Sequence, residues 1–288
     1  MMKRIVTTLC LVGWSASAPA LSTQPARDLF QRLAEVAGSG GLATHQVALA
    51  RLEDYPLYPY LLAADLRWRL GQGEALVGNL DAEIAAFLQA WPHLPPARGL
   101  RSAWIEDLSD RGRWQAVIAQ VNEGDPTSLQ CLATTARIRT QAAPAPALRE
   151  QGLEYWLRGW SQPESCNPVF AWLETVGALG REPIVARARL AILDGNAGLA
   201  RYLARKLPED QRQPVKRWIR LVENPGDLHV VKKLAPDIAV YAYKRLALRD
   251  LAGAAALLPE LSDRLRLSTA QQYEARRWVA LLFAQNHD

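Results

Sequence analysis

Apolar residues recur along this chain at the three-and-four spacing of a helix face. Leu29, Phe30, Leu33 and Val36 form one stripe, Ile84, Phe87, Leu88 and Trp91 another, and Trp104, Ile105 and Leu108 a third. The period returns in Trp114, Val117, Ile118 and Val121, in Leu199, Tyr202, Leu203 and Leu207, and in Trp218, Ile219 and Val222. No stretch sustains the alternation of a half-buried strand, so the pattern predicts an all-α chain. The breaks are short: Gly71-Gln72-Gly73, Pro95-Pro96, Asp110-Arg111-Gly112, Asn122 to Pro126, and Asn224-Pro225-Gly226. Helices joined by so few residues run antiparallel to their neighbours. Asp65 to Gly73, Ala90 to Pro96 and Trp104 to Trp114 are therefore predicted corners of successive helical hairpins, each pair burying its stripe against the next. The spacing of the pairs is irregular and matches no tetratricopeptide or ankyrin consensus, which makes the stack a divergent solenoid. Such a stack curves and leaves a concave face. Gln141 to Pro146 reads as one more corner, not as a linker, so residues 21–288 are expected to form one helical domain.

One corner is distinctive. In Tyr55-Pro56-Leu57-Tyr58-Pro59-Tyr60, each proline fixes its own backbone and pushes the preceding tyrosine away from helical angles. The rings are then free to cover the apolar ends of the helices that meet there. The glycine runs Gly38 to Gly41 and Gly71 to Gly73 follow predicted helices and lack the lysine or strand context of a phosphate loop, so they read as caps and turns.

The first twenty residues carry Lys3 and Arg4, an apolar run from Ile5 to Trp14, and the small residues Ala18-Pro19-Ala20. That order is a secretory signal peptide, with cleavage expected after Ala20. The apolar run is too short to span a bilayer, Cys10 lies inside it and not at a lipid-attachment position, and no later segment approaches a span. Export removes two of the 34 basic residues and none of the 29 acidic ones, lowering the formal charge from +5 to +3. Arginines such as Arg67, Arg69, Arg276 and Arg277 are spread among acidic residues, the pattern of a solvated surface, and nucleic acid is not an expected partner. Export also leaves two cysteines, Cys131 and Cys166, in an oxidising compartment. A single disulfide is the natural inference, closing a separation of 35 residues for about 4 kcal/mol in the chain-entropy treatment; two unpaired buried thiols are the alternative. His45, His93, His229 and His287 show no ligand spacing with either cysteine, so neither a zinc site nor any other metal or cofactor is expected.

Several blocks between residues 50 and 220 carry a resemblance. After the tyrosine-proline corner come Phe87-Leu88, Trp91-Pro92, Pro95 to Arg98, Arg101, Trp104, Leu108, Arg111-Gly112 and Trp114. A third block holds Tyr155-Trp156, Gly159, Ser161-Gln162-Pro163, Cys166-Asn167-Pro168, Phe170 and Trp172, and a fourth Gly195-Asn196, Leu199-Ala200, Tyr202-Leu203, Leu207-Pro208 and Trp218. In order and spacing these resemble the N-terminal superhelical part of the soluble lytic murein transglycosylases. The resemblance implies a right-handed, U-shaped α-superhelix, a periplasmic location, and a disulfide between Cys131 and Cys166. Asn167 stands where the family pattern leads one to expect aspartate, which bears on a local cap and not on the fold.

The resemblance further implies cleavage of peptidoglycan glycan strands to 1,6-anhydro products by a single glutamate, in a lysozyme-like domain that follows the superhelix. That glutamate is expected in a Glu-Ser pair with a Gly-Leu-Met-Gln signature behind it. The pair Glu164-Ser165 lacks the signature and sits in a proline- and cysteine-bearing corner. Glu53/Asp54, Glu106/Asp107 and Glu209/Asp210 are sequence neighbours, and on a helix adjacent side chains diverge by ~100°, so none of the three pairs faces one glycosidic bond. No catalytic residue is therefore expected. The reading is the superhelical scaffold of such an enzyme without its catalytic domain, with peptidoglycan and cell-wall synthesis proteins as partners; a stand-alone periplasmic scaffold is the alternative. The last helix, with Trp278, Val279, Leu281, Leu282 and Phe283, is expected to leave an apolar end uncovered.

Overall fold

The computed structural model describes residues 23–73 and 78–285. The expected signal peptide and its cleavage site at Ala20 lie outside the described residues, as does His287. Fifteen α-helices and no strand occur among those described: α1 (Thr23–Ala37), α2 (Gln46–Ala50), α3 (Tyr58–Gly71), α4 (Leu80–Ala90), α5 (Pro95–Asp110), α6 (Trp114–Gln120), α7 (Thr127–Thr140), α8 (Ala145–Trp156), α9 (Asn167–Thr175), α10 (Arg181–Leu193), α11 (Ala197–Lys206), α12 (Gln213–Glu223), α13 (Pro236–Ala247), α14 (Leu251–Leu265) and α15 (Thr269–Gln285). Every stripe named above lies on one of these helices or at its end. The chain divides into two compact units, one up to Asp107 and one from Leu108 onward.

In the first unit α1 packs on α3 and α3 on α4. Leu33, Leu42, Leu52 and Leu61 form its buried centre, each such side chain stabilising the fold by about 1.5–3 kcal/mol relative to exposure. The tyrosine-proline corner closes this core: Tyr55 lies 5.5 Å from Phe30, and Tyr58 meets Trp91 edge-on at 6.4 Å. Tyr58 is itself the first residue of α3, with Pro59 buried in the first turn. A proline there has no helical hydrogen bond to lose, so the helix begins earlier than steric exclusion before proline suggests. For the same reason Pro95-Pro96 opens α5, and the corner is Trp91 to Leu94. Gly40, at φ +75°, needs to be glycine: a Cβ there would stand 2.1 Å from the Trp68 ring.

The second unit is a run of neighbours in contact, α6 on α7, α7 on α8, α8 on α9, then α10 on α11 and onward to α14 on α15. One continuous core threads from Trp156 through Leu203, Val215 and Tyr243 to Val279. Gln141, at φ 52°, ends α7 in a left-handed turn before α8, so the alanine- and proline-rich run there is a corner between packed helices. Tyr243 is fully buried, and its hydroxyl donates to the Ala254 carbonyl at 2.9 Å, tying α13 to α14. On α15, Val279 is buried and Trp278 and Leu282 pack against the core, while Tyr273 and Leu281 face solvent. The apolar set of the last helix is thus divided between core and surface, because 3.6-residue periodicity turns positions 281 and 282 by ~100° from each other.

Candidate functional site

The third and fourth sequence blocks come together in the second unit. They line a cleft of about 470 Å³, within the size range of small-ligand sites. Its floor begins at the end of α8 with Trp156, whose indole N–H donates to the Pro183 carbonyl at 3.1 Å. The chain then leaves the helix through a loop that Gly159 presses onto α10; a Cβ on Gly159 would meet the Leu190 carbonyl at 2.5 Å and Asp194 Oδ2 at 2.1 Å. Gln162 follows on one wall. The loop ends in the 3-10 turn Glu164–Cys166, which is fastened twice to α7: Cys166 is bonded to Cys131, with both sulfurs in a dry cluster beside Val169, and Ser165 Oγ donates to the Ser128 carbonyl at 2.9 Å. So held, the turn starts α9 and sets Asn167 and Phe170 on the cleft. The opposite wall is the first turns of α11, where Asn196 caps the helix by accepting from the Leu199 N–H at 3.0 Å, placing Gly198, Leu199 and Tyr202.

Arg187, on α10, forms the base. It is 5% exposed, and its guanidinium carbon lies 4.4 Å from the Trp156 ring centroid and 5.3 Å from that of Phe170. The two rings meet edge-to-face at 5.1 Å. Its sole hydrogen bond among the described residues is a long one, from Nη2 to the Trp160 carbonyl at 3.4 Å, and Nε is buried with no partner. Burial pushes the guanidinium below its ordinary pKa, partly opposed by the Tyr202 phenol. Removing a cation from water costs several kcal/mol, and desolvated cation–π contacts return about 2 kcal/mol or more. No ion pair to Arg187 occurs among the described residues, and the carboxylate in the same cleft, Glu174, is taken by Lys206 at 2.5 Å. Hydrogen bonding to Glu174 raises the Lys206 pKa, and its ammonium lies 5.8 Å from the Tyr202 ring centroid. Tyr202 and Trp160 are 48% and 55% exposed. A buried cation short of acceptors thus shares the cleft with the half-open side chain of Tyr202.

The first unit has a second, more apolar cleft of about 570 Å³, where Asp65 and Glu83 approach one arginine. Arg69 grips Glu83 with both ends, at 2.6 and 3.2 Å, and lies 3.7 Å from Asp65. The Arg69 hydrogen bond holds the Glu83 carboxyl below its usual range, the reverse of what a proton donor near neutral pH requires. The residues weighed from sequence as possible acids lie elsewhere. Glu164 is exposed on its turn, and Glu53, Asp54, Glu106, Glu209 and Asp210 are exposed as well. Among the described residues no cluster of three or more potential metal ligands occurs, and no helix is long and apolar enough to cross a membrane. The matched sequence blocks contain Trp156, Gln162, Asn167, Phe170 and Tyr202, whereas Arg187 belongs to none of them. Its only local signal is an arginine on the same α10 face as the buried Ile184, Ala188 and Ala191.

These features define a class: an all-α stack of helical hairpins with a cationic, aromatic-walled cleft in its second unit. No protein-family model matches the chain. It is similar to the soluble lytic murein transglycosylase of Escherichia coli (strain K12), 27% identical over 279 residues that cover 94% of this chain and 42% of that protein. The protein of the same name from Salmonella typhimurium is 25% identical over 283 residues, 96% of this chain and 43% of that one. Among solved structures, the 70-kDa soluble lytic transglycosylase in complex with bulgecin A superposes with a TM-score of 0.71 at 26% identity, covering 90% of this chain and 42% of the other. An inactive mutant of lytic transglycosylase Slt from Pseudomonas aeruginosa gives 0.73 at 27%, with the same coverage. The chain spans less than half the length of these relatives. It is therefore similar to the soluble lytic murein transglycosylases along nearly its whole length and shares their all-α fold, over less than half of their length.

Proposed function

We propose that this chain is the superhelical scaffold of a periplasmic soluble lytic murein transglycosylase, framing a peptidoglycan strand for a cleaving glutamate that these 288 residues do not contain. One observation carries the reading: similarity runs over 94% of this chain but takes in only 42% of the Escherichia coli protein. It is supported by the exposure of Glu164 and by the engagement of Glu83 with Arg69, since an acid that protonates a glycosidic oxygen needs an apolar pocket to stay protonated. In this reading murein is the partner, and cell-wall synthesis proteins are further candidates for the helical surface.

The test uses purified chain and murein sacculi. Co-sedimentation without release of 1,6-anhydro muropeptides is expected, and Glu164→Gln should leave both results unchanged. Anhydro products above a buffer control that vanish in Glu164→Gln would overturn the reading and place an active centre in the Cys166 corner. The reading frame beyond the codon for Asp288 distinguishes an enzyme's scaffold from a stand-alone one: a continuation encoding a Glu-Ser lysozyme-like domain supports the former, and its absence the latter.

A further inference from the structure

We infer that the Arg187 cleft is a binding site for a carboxylate-bearing saccharide, the carboxylate facing Arg187 and the sugar ring lying against Tyr202. Three independent features of the cleft point there. Arg187 lies at its base at 5% exposure, with one long bond to a neutral carbonyl, an Nε without a partner, and no ion pair among the described residues. A ligand carboxylate supplies the acceptor that the fold does not, and arginine's planar fork suits that group. Glu174 does not serve, because Lys206 holds it.

The second feature is an open aromatic surface in the same cleft. Tyr202 is 48% exposed on the cleft wall, and its ring is of the kind the C–H side of a pyranose covers. The third is the set of neutral polar groups beside it, the amides of Gln162 and Asn167 and the Ser161 hydroxyl, which match hydroxyl and acetamido groups and add no negative charge to repel the carboxylate. The disulfide-pinned turn and the Gly159 contact hold the loop that carries these groups, so the site is preformed. The choice of a sugar over another carboxylate rests on the murein reading above, the ligand then being a glycan strand stripped of its stem peptides, since the muramic acid carboxyl is otherwise an amide; the need for an anion at Arg187 does not rest on that reading.

Tryptophan fluorescence of the purified chain, titrated with N-acetylmuramic acid, N-acetylglucosamine and acetyl-D-alanyl-D-alanine, tests the assignment. N-acetylmuramic acid should give a saturable change, with at least tenfold weaker binding for the neutral sugar. Arg187→Gln should abolish the response, and Tyr202→Ala, at an exposed position that leaves the fold intact, should weaken it several-fold. Circular dichroism of both variants separates lost binding from lost structure, and Tyr202→Ala alone keeps the inference falsifiable if Arg187→Gln does not fold. Equal binding of the neutral sugar overturns the role of charge. Binding of the dipeptide without the sugar acid overturns the saccharide assignment. No saturable binding of any probe while sacculi still co-sediment overturns the cleft inference and leaves the scaffold reading standing; failure of co-sedimentation with retained N-acetylmuramic acid binding does the reverse.

Discussion

Reducing the Cys131–Cys166 bond is expected to weaken the second unit by about 2–4 kcal/mol. The bond closes a separation of 35 residues, for which loss of unfolded-chain entropy alone amounts to about 4 kcal/mol, with measured bridges often giving less. Against a typical total of about 5–15 kcal/mol this is a large share. Both cysteines are fully buried, and reduction leaves their sulfurs in place, so reduction measures the cross-link with little change in packing. Replacing both by alanine removes the sulfurs too, from a cluster that includes Val169, Tyr155 and Phe170, and should cost about 1 kcal/mol further. Because the bonded turn sets Asn167 and Phe170, the Arg187 cleft should loosen in step. Urea unfolding of oxidised, reduced and doubly substituted protein, followed by tryptophan fluorescence, gives the three midpoints. Thiol labelling of denatured, unreduced exported protein should find no free sulfhydryl from these two residues. Two labelled cysteines, or unfolding midpoints that reduction does not move, would refute the reasoning.

Three further outcomes follow from particular contacts. Tyr243 is buried and its phenol pKa is pushed up from 10.0 to about 12; a raised value means that its contribution is complete below pH 10 and is lost as pH rises toward 12, so wild type should lose stability over that interval more steeply than Tyr243→Phe, which itself should cost about 1 kcal/mol at neutral pH through the lost bond to Ala254. Gly159→Ala should cost about 1–3 kcal/mol by overpacking, because Asp194 can swing aside but the Leu190 carbonyl, 2.5 Å from the new Cβ, cannot; an unchanged melting temperature would show the loop to be loose. Leu282→Asp places a charge against the core and should destabilise by about 2–3 kcal/mol, whereas Leu281→Asp, 48% exposed in the wild type, should stay within about 0.5 kcal/mol and lower any self-association seen by sedimentation; equal melting temperatures for the two variants would contradict the division of α15 between core and surface.

The helices were legible in the sequence because their signal is local. Leu29 to Val36 or Trp218 to Val222 show one apolar face within two turns, and the glycine, proline and Asn/Asp breaks mark where each face ends. Details within one turn of a boundary, such as Tyr58 and Pro95 falling inside helices, depended on a proline having no hydrogen bond to lose there. The aromatic and cysteine blocks could be named as important, but only the tertiary structure decided what they surround. Arg187 shows the reason: its neighbours Trp156 and Phe170 arrive from α8 and α9, Tyr202 and Lys206 from α11, and its desolvation exists only once those helices pack. Arg69 likewise looked like one of many solvated arginines until α3 and α4 brought Glu83 into its grip. Periodicity records which side of a helix avoids water. Which charged group is left short of partners among non-consecutive helices is a property of their packing, and no local pattern encodes it.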